Sequence, residues 1–382
     1  MNRTCFRLAT NLAAVVMVLT WVGATEPLPP TVARNPLAFT PPRGYVCHRV
    51  PAPLTVDGRL DELSWSLALW SAPHVDIEGP LAAEPRHQTR VKMLWDNRYL
   101  YVGALLEDPH VWGTLTERNS VIFHDNDFEV FIDPDGDGHA YYEFEMNALN
   151  TVWNLFLDKP YKNGGIPVVR EMPDQRSGVW VCGSLNDPKD TDHCWTVEIA
   201  FPWAVMAEYA GGACPPRDGD QWRISFSRVE WGFTIEDGRY RRVPWPGGRA
   251  GGSEEANWVW TPQGVINMHR PETWGYVQFS SLPAGRSVPL RPDETAAVRY
   301  LLYQVHYAQQ EFHRRHGRYA RDLTELPDVR LTAAGLAGPV TMRTEDAAFI
   351  VTALVRRADG RLVRLTVDDT ARCLQRAEEP SP

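Results

Sequence analysis

Between Tyr45 and Ser281, short runs of β-branched and aromatic residues recur between clusters of Gly, Pro, Asn and Asp. "TRVKMLWD", "YLYVGALLE", "FEVFID", "YYEFEMN", "TVWNLFL", "GVWVCGSL", "CWTVEIAFP", "WRISFSRVEW" and "GYVQFSSL" each have the length of a strand. Many short strands at such spacing predict a mainly β domain, an antiparallel sandwich or barrel over 45–281. "LDELSWSLA" (60–68) is the main helical stretch within it. After a linker, "LPAGRSVPLRPD" (282–293), the period changes. Val298, Leu301, Leu302, Val305, Ala308 and Phe312 recur at helical spacing, with Asp293 as N-cap and Gly317 as C-terminal stop. "GPVTMRT", "AAFIVTALVRR" and "GRLVRLTVDD" then predict two or three strands. Residues 294–375 therefore read as a small α+β module, a long helix plus an antiparallel sheet.

The ends of the chain follow a different logic. Arg3 and Arg7 precede the apolar run "LATNLAAVVMVLTWV", and "VGA" (22–24) offers small residues for cleavage. This is the pattern of an export signal, and the run is short of the roughly 20 residues a membrane span needs. The mature chain is expected to begin after Ala24, to carry no stable membrane span, and to lie in a periplasmic, cell-surface or extracellular space. A Pro-rich linker (25–44) follows the signal. The tail (376–382), with "AEEPSP", has the composition of a disordered end. A net charge of −9 argues against a nucleic-acid partner, which needs a basic surface. Fifteen tryptophans supply both core filling and flat surfaces for stacking. Five cysteines remain after the signal, too sparse for a disulfide framework. Cys182 and Cys194 flank a turn-like segment and are positioned for a hairpin bridge.

One stretch concentrates the candidate chemistry. "DNDFEVFIDPDGDGHAYYEFEMN" (125–147) holds eight Asp and Glu residues around a DxDGDG core. It starts like an EF-hand loop, but Phe144 stands where a bidentate Glu is required, and the flanks alternate as strands do. A β-hairpin with its turn at Asp133–His139 fits better. Alternation puts Phe128, Val130 and Ile132 on one face with Tyr142, Phe144 and Met146. It puts Asp127, Glu129 and Phe131 on the other, with Tyr141, Glu143, Glu145 and Asn147. Like charges across a strand pair repel, so this face needs solvent, a cation, an arginine or a ligand rich in hydrogen-bond donors. Sugar hydroxyls are such donors.

In order along the chain stand "LTVDGRLDELSW", "VKMLWDNRYLYVGALLED", the "NDFEVFIDPDGDG…" segment, "WTVEIAFPW", "WRISFSRVEW" and "NWVWTPQGVINMHRPETWGYVQFS". Together they resemble the carbohydrate-binding module family 9-like group over roughly 45–281. The resemblance implies a jelly-roll-like antiparallel β-sandwich, usually secreted and often attached to polysaccharide-degrading enzymes. It implies a terminal sugar held between two tryptophans, hydrogen-bonded by charged and amide side chains, with structural Ca2+ nearby. By motif position Phe123 holds the place of the first tryptophan, and Met268 or His269 that of the second. Glu129 keeps the acidic strand residue, Glu145 stands where a sugar-binding arginine is expected, and Asn147 is kept.

Glu143 shares that face, and Trp153, Trp231, Trp258 and Trp260 are alternative aromatic platforms. Arg228 in "FSRVEW" is a partner for the acidic face or the ligand, or half of a structural ion pair. Glu129 with Glu143 or Glu145 also permits a glycosidase reading, but no nucleophile elbow, HExxH or P-loop accompanies it. His313 and His316 in "HRRH", with His306 upstream, lie on the C-terminal helix; an i, i+3 histidine pair can hold a metal, while a helix C-terminus also favours cationic side chains, and the latter is the expected role. "AQQEFHRRHGRYARDLTEL" is similar to a short part of type IV pilin-like globular domains, which implies an interaction or spacer role with a protein partner. The reading is an exported, non-catalytic saccharide-binding protein, accessory to glycan recognition or carbohydrate catabolism. Its alternative is a structural or protein-interaction sandwich without its sugar clamp. Cleavage after Ala24 predicts Thr25 as the first residue of the exported protein. N-terminal sequencing checks this, and an intact Met1 on that protein would refute it.

Overall fold

The computed structural model describes residues 40–80, 82–246, 254–345 and 347–378. The predicted signal, most of the Pro-rich linker and the last four residues lie outside them. The first fifteen strands are β1 (Gly44–Arg49), β2 (Val75–Asp76), β3 (Thr89–Trp95), β4 (Tyr99–Glu107), β5 (Asp127–Asp133), β6 (Tyr141–Asn147), β7 (Val152–Leu157), β8 (Pro167–Val169), β9 (Arg176–Cys182), β10 (Cys194–Pro202), β11 (Gln221–Glu230), β12 (Gly232–Glu236), β13 (Arg239–Val243), β14 (Ala256–Val259) and β15 (Gly275–Pro283). Eleven of them run in the order β8-β7-β6-β5-β11-β15-β1-β3-β4-β10-β9, while β12 and β13 pair as a separate ribbon.

This path folds back on itself as a sandwich. Phe128, Val130, Tyr142 and Phe144 from one half share a single core with Val91, Leu100, Val197 and Phe201 from the other. The rings of Phe144 and Phe201 meet edge to face at 5.3 Å. Each such large side chain, fully buried, contributes roughly 1.5–3 kcal/mol. The pairing is mainly antiparallel, as the sequence predicted, with one exception. β1 runs parallel to both β15 and β3, joining the two halves along one side. Such pairing joins strands distant in the chain, here through β1 and β15, and no hairpin turn announces it. The stretch 60–68 forms one short helix, α1 (Leu63–Leu67), anchored by buried Trp65, whose indole N–H donates to Glu198 at 2.8 Å. A second short helix, α2 (Trp203–Met206), follows β10.

The C-terminal module packs α3 (Ala296–His316) on the sheet β16 (Thr341–Glu345), β17 (Ala348–Arg356), β18 (Leu362–Asp368) and β19 (Cys373–Ala377). Gly317 ends the helix in the left-handed conformation that glycine adopts without strain. Asp293 is not the N-cap; Thr295 holds that place. Asp293 instead accepts from the backbone N–H and hydroxyl of Thr295, a turn two residues upstream. Four strands form, where two or three were predicted. His306 is buried in α3 with Nδ1 2.9 Å from the Asp368 carbonyl oxygen. Among the described residues no helix is long and apolar enough to cross a membrane. The five described cysteines are free thiols; Cys182 and Cys194 stand directly opposite each other on β9 and β10.

The DxDGDG turn joins the two modules. Asp133 accepts from the N–H groups of Gly136 and Gly138, which sets the turn. The Asp137 carboxylate meets Arg372 at 2.7 Å, its carbonyl accepts from Cys373 N–H, and His139 Nε2 lies 3.0 Å from the Thr370 carbonyl. Beside it lies a charged knot. Glu272 pairs with Arg270 at 3.1 Å and Lys162 at 3.3 Å, and Tyr307 of α3 hydrogen-bonds all three. Burial alone would raise the Glu272 carboxyl, but Lys162 and Arg270 more than offset it and leave it at about 2. A carboxyl depressed in the folded state stabilises the fold above its unfolded value and loses that contribution as pH falls toward its folded one. The seam is therefore expected to weaken from about pH 4.5 down to about pH 2, read as rising proteolytic cleavage between the modules. Tyr307→Phe removes a donor to Glu272. It should move that transition to higher pH and cost about 1–3 kcal/mol in urea unfolding. An unchanged acid profile and midpoint would refute the account.

Candidate functional site

The hairpin forms in the predicted register. Glu129 lies opposite Glu145, Phe131 opposite Glu143, and Asp127 opposite Asn147. The inward set, Phe128, Val130, Ile132, Tyr142, Phe144 and Met146, belongs to the sandwich core. The carboxylates are consequently driven to the outer face. β11 and β7 extend the row, placing Ser227 beside Glu129 and Trp153 beside Glu145.

This face is not open to water. Asp127, Glu129, Glu143 and Glu145 are only 0, 4, 5 and 2% exposed. Their cover comes from two directions. At one end Phe131, Tyr141, Leu155, Leu157 and Trp274 form a small apolar cluster, with Trp153 and Met268 packed against it. His269 completes that wall, with Nδ1 2.8 Å from the Tyr141 hydroxyl and the Tyr161 ring edge-on at 4.2 Å. At the other end the segment holding Phe123 folds over the strands, and Phe123 N–H donates to Glu145 Oε2 at 3.0 Å. The Phe123 and Trp153 rings are near-parallel, 6.5 Å apart and tilted by 25°.

Burial dominates the electrostatics. It raises Asp127, Glu143 and Glu145 well above the ordinary carboxylate range, and neighbouring carboxylates push each further the same way. Glu129 rises to about 7, again chiefly through burial. The same burial, with Lys162 nearby, lowers His269 to about 3, so the imidazole 3.8 Å from Glu143 is neutral. Asp127 Oδ2, Glu129 Oε2, Glu143 Oε2 and Trp153 Nε1 are buried without a hydrogen-bond partner among the described residues. Buried polar groups are rarely left so, because each such group costs about 1–3 kcal/mol.

Seven of the nine sequence-selected residues gather here: Phe123, Glu129, Glu143, Glu145, Trp153, Met268 and His269. Asn147 shares the face, but its amide is fully engaged inside the protein. It donates to the Leu115 carbonyl and to Asp125, and accepts from Leu149 and Thr151 N–H. It anchors a loop and has no group left for a ligand. Arg228 belongs to the other side of its strand, in line with core residue Phe226. It pairs with Asp108 at 3.1 Å and Glu230 at 2.7 Å, with its guanidinium 5.3 Å from the Trp258 ring centre. Of the alternative platforms, Trp258 and Trp260 are buried away from this face. Trp231 is buried behind it, donating to the Phe123 carbonyl at 2.8 Å. Tyr161 was missed. It arrives from a short 3-10 turn (Tyr161–Asn163) after β7, where no periodicity marks it.

Residues 56–214 match the family described as carbohydrate family 9 binding domain-like. Two curated relatives are endo-1,4-beta-xylanase A of Thermotoga maritima, 29% identical over 117 residues, and endo-1,4-beta-xylanase C of Paenibacillus barcinonensis, 38% identical over 80. These segments span 29% and 21% of this chain but only 10% and 6% of those proteins. Among solved structures, a family 9 carbohydrate binding module from Caldicellulosiruptor kristjanssonii, in complex with cellotriose and in complex with glucose, is 15% identical with a TM-score of 0.39. It covers 65% of this chain and is itself covered in full.

The two faces of β11 differ in what mutation should do. Arg228 is the counterion of two buried carboxylates, so Arg228→Ala should destabilise the fold by about 3–5 kcal/mol in urea unfolding. A loss below about 1 kcal/mol, the scale of an exposed pair, would mean that Asp108 and Glu230 do not depend on it.

Proposed function

We propose that this chain, whose residues 56–214 match the carbohydrate family 9 binding domain-like model, is an exported, non-catalytic carbohydrate-binding protein. Its ligand lies on the outer face of the β5–β6 hairpin. The observation that carries the reading is the conjunction there of unpartnered carboxylate oxygens with partly exposed aromatic rings. A saccharide offers what each lacks, hydroxyl donors for Asp127, Glu129 and Glu143, and a C–H face for Phe123, Trp153 and Tyr161. A sugar ring held between two aromatic planes needs about 7–8 Å, two contacts of about 3.5–4.0 Å each. At 6.5 Å the Phe123–Trp153 pair is slightly closed, so the rings act as a platform or part on binding.

A hydrolase reading is less consistent with this geometry. Glycosidase carboxyls flank the scissile bond from opposite sides. Glu129 and Glu145 are nearest neighbours on adjacent strands and point the same way. A protein-interaction role has one observation in its favour: edge strand β8 and its approach leave Ile166, Val168 and Val169 exposed, an unpaired apolar edge of the kind that attracts another chain. An accessory role in polysaccharide breakdown follows if the ligand is a cell-wall glycan. The test is a glycan and polysaccharide screen on the full chain, with xylan and cello-oligosaccharides among the probes. Binding abolished or weakened at least tenfold in Glu129→Ala and Phe123→Ala is the expected result. No binding to any glycan by demonstrably folded protein would abandon the reading for protein interaction.

A further inference from the structure

Asp127, Glu129 and Glu145 each bring one carboxylate oxygen to a common point, the three lying within 4.8 Å of one another. Two of these groups are aimed by the backbone. Asp127 Oδ1 accepts from Val229 N–H at 3.2 Å, and Glu145 Oε2 from Phe123 N–H at 3.0 Å. Asp127 Oδ2 and Glu129 Oε2 stay buried with no partner among the described residues. Among those residues no lysine or arginine forms an ion pair with Asp127, Glu129, Glu143 or Glu145. His269, 3.8 Å from Glu143, is neutral and supplies no charge. Two aromatic rings adjoin the same point. Trp153 stands directly across from Glu145, and Phe123 carries the N–H that holds the Glu145 carboxylate. Both rings are partly exposed. A sugar ring seated on either one therefore carries its substituents onto the carboxylates.

We propose that the saccharide bound here is a cationic amino sugar, held through a primary ammonium group by Asp127, Glu129 and Glu145. The proposal rests on the carbohydrate reading and narrows its ligand class. A sugar hydroxyl offers one donor and no charge, whereas a primary ammonium offers three donors and the missing positive charge in one group. The spacing suits it. Charge-assisted N–H···O bonds run at about 2.7–2.9 Å, so three oxygens at tetrahedral directions round one nitrogen stand about 4.4–4.7 Å apart. The three carboxylate oxygens fall within that reach. Burial holds these carboxyls up, so the empty face carries protons; an arriving ammonium takes their place and the protons pass to solvent. The lysine of a protein partner has the same ammonium, but it brings a narrow methylene stem to Phe123, Trp153 and Tyr161, where a sugar brings a flat C–H face.

The test uses the full chain and short oligomers of glucosamine, of N-acetylglucosamine and of glucose. These are equal in length and linkage and differ only in the group on the second carbon: ammonium, acetamide or hydroxyl. A lysine oligomer of equal charge is the fourth probe, and slightly acidic buffer keeps the amines charged. Calorimetry should show the glucosamine oligomer bound at least tenfold more tightly than the other three. Glu145→Gln should weaken it at least tenfold, with a smaller loss for the neutral oligomers, since the buried charge it removes meets only the ammonium. Asp127→Asn repeats the measurement from the facing strand. Glu345→Gln, on the exposed edge strand β16, removes the same charge and should change nothing. That comparison separates the site from plain attraction to a chain of net charge −9. A neutral oligomer bound as tightly as the glucosamine oligomer would overturn the proposal and leave the carbohydrate reading standing. Equal affinity for the lysine oligomer, or equal losses in Glu145→Gln and Glu345→Gln, would also overturn it. Failure of folded protein to bind any oligosaccharide would remove both.

Discussion

Four carboxylates occupy one side of a two-stranded hairpin because the other side of the same strands is the core of the sandwich. Alternation leaves no third place for them. Phe128, Val130, Phe144 and Met146 are held inward by apolar burial, so Asp127, Glu129, Glu143 and Glu145 must face outward together. A one-residue slip would bury the charges in the core and expose the aromatics, which fixes the register. The repulsion on the outer face is thus a cost imposed by the inner one. Two unit charges 4 Å apart interact by about 4 kcal/mol at an effective dielectric of 20. The cluster therefore cannot stay fully ionised and dry without an opposite charge, from protons, a cation or a donor-rich ligand.

The cover over that face is in turn held by the C-terminal module. Tyr161 and His269 form the wall beside Glu143, and the next residue of each segment, Lys162 and Arg270, enters the charged knot closed by Glu272 and Tyr307. The guanidinium of Arg270 also lies 4.6 Å from the centre of the Tyr307 ring. One residue of α3 therefore ties together two loops distant in sequence, and both loops end at the site. This gives the helix a structural task apart from any surface histidine pair. His306 is buried in the module, while His313 and His316 lie in an exposed last turn among Arg314 and Arg315. The DxDGDG turn serves the same seam, with Asp137 clasped by Arg372.

How much of this was legible depended on whether a residue's role was set by local period or by distant contact. The hairpin register and its two faces followed from period 2. Period 2 likewise puts Arg228, two residues from core Phe226, on the inner side of β11. β19 carried no such signal, since only Cys373 of its five residues is buried. The parallel seam at β1, the knot at Tyr307 and the arrival of Tyr161 join segments far apart in the chain, and no spacing records them. Burial of the acidic face belongs to the same class. The strands alone predict a solvated surface, and only the overhanging loops make it dry.

Burial also changes the meaning of Glu145. By the family resemblance an arginine is the residue expected at that position. Glu145 lies directly across from Glu129, so the pair is one of like charges. Where an arginine would bring hydrogen-bond donors, Glu145 brings acceptors to a face already rich in them. A ligand that suits an arginine–glutamate pair does not suit this one unchanged. What suits it must bring positive charge or several donors, and must reach past Phe123, Trp153 and Tyr161 to do so. Under the proposed function, specificity at this face would be set less by the aromatic platform, which accepts any flat apolar surface, than by what compensates three converging carboxylates.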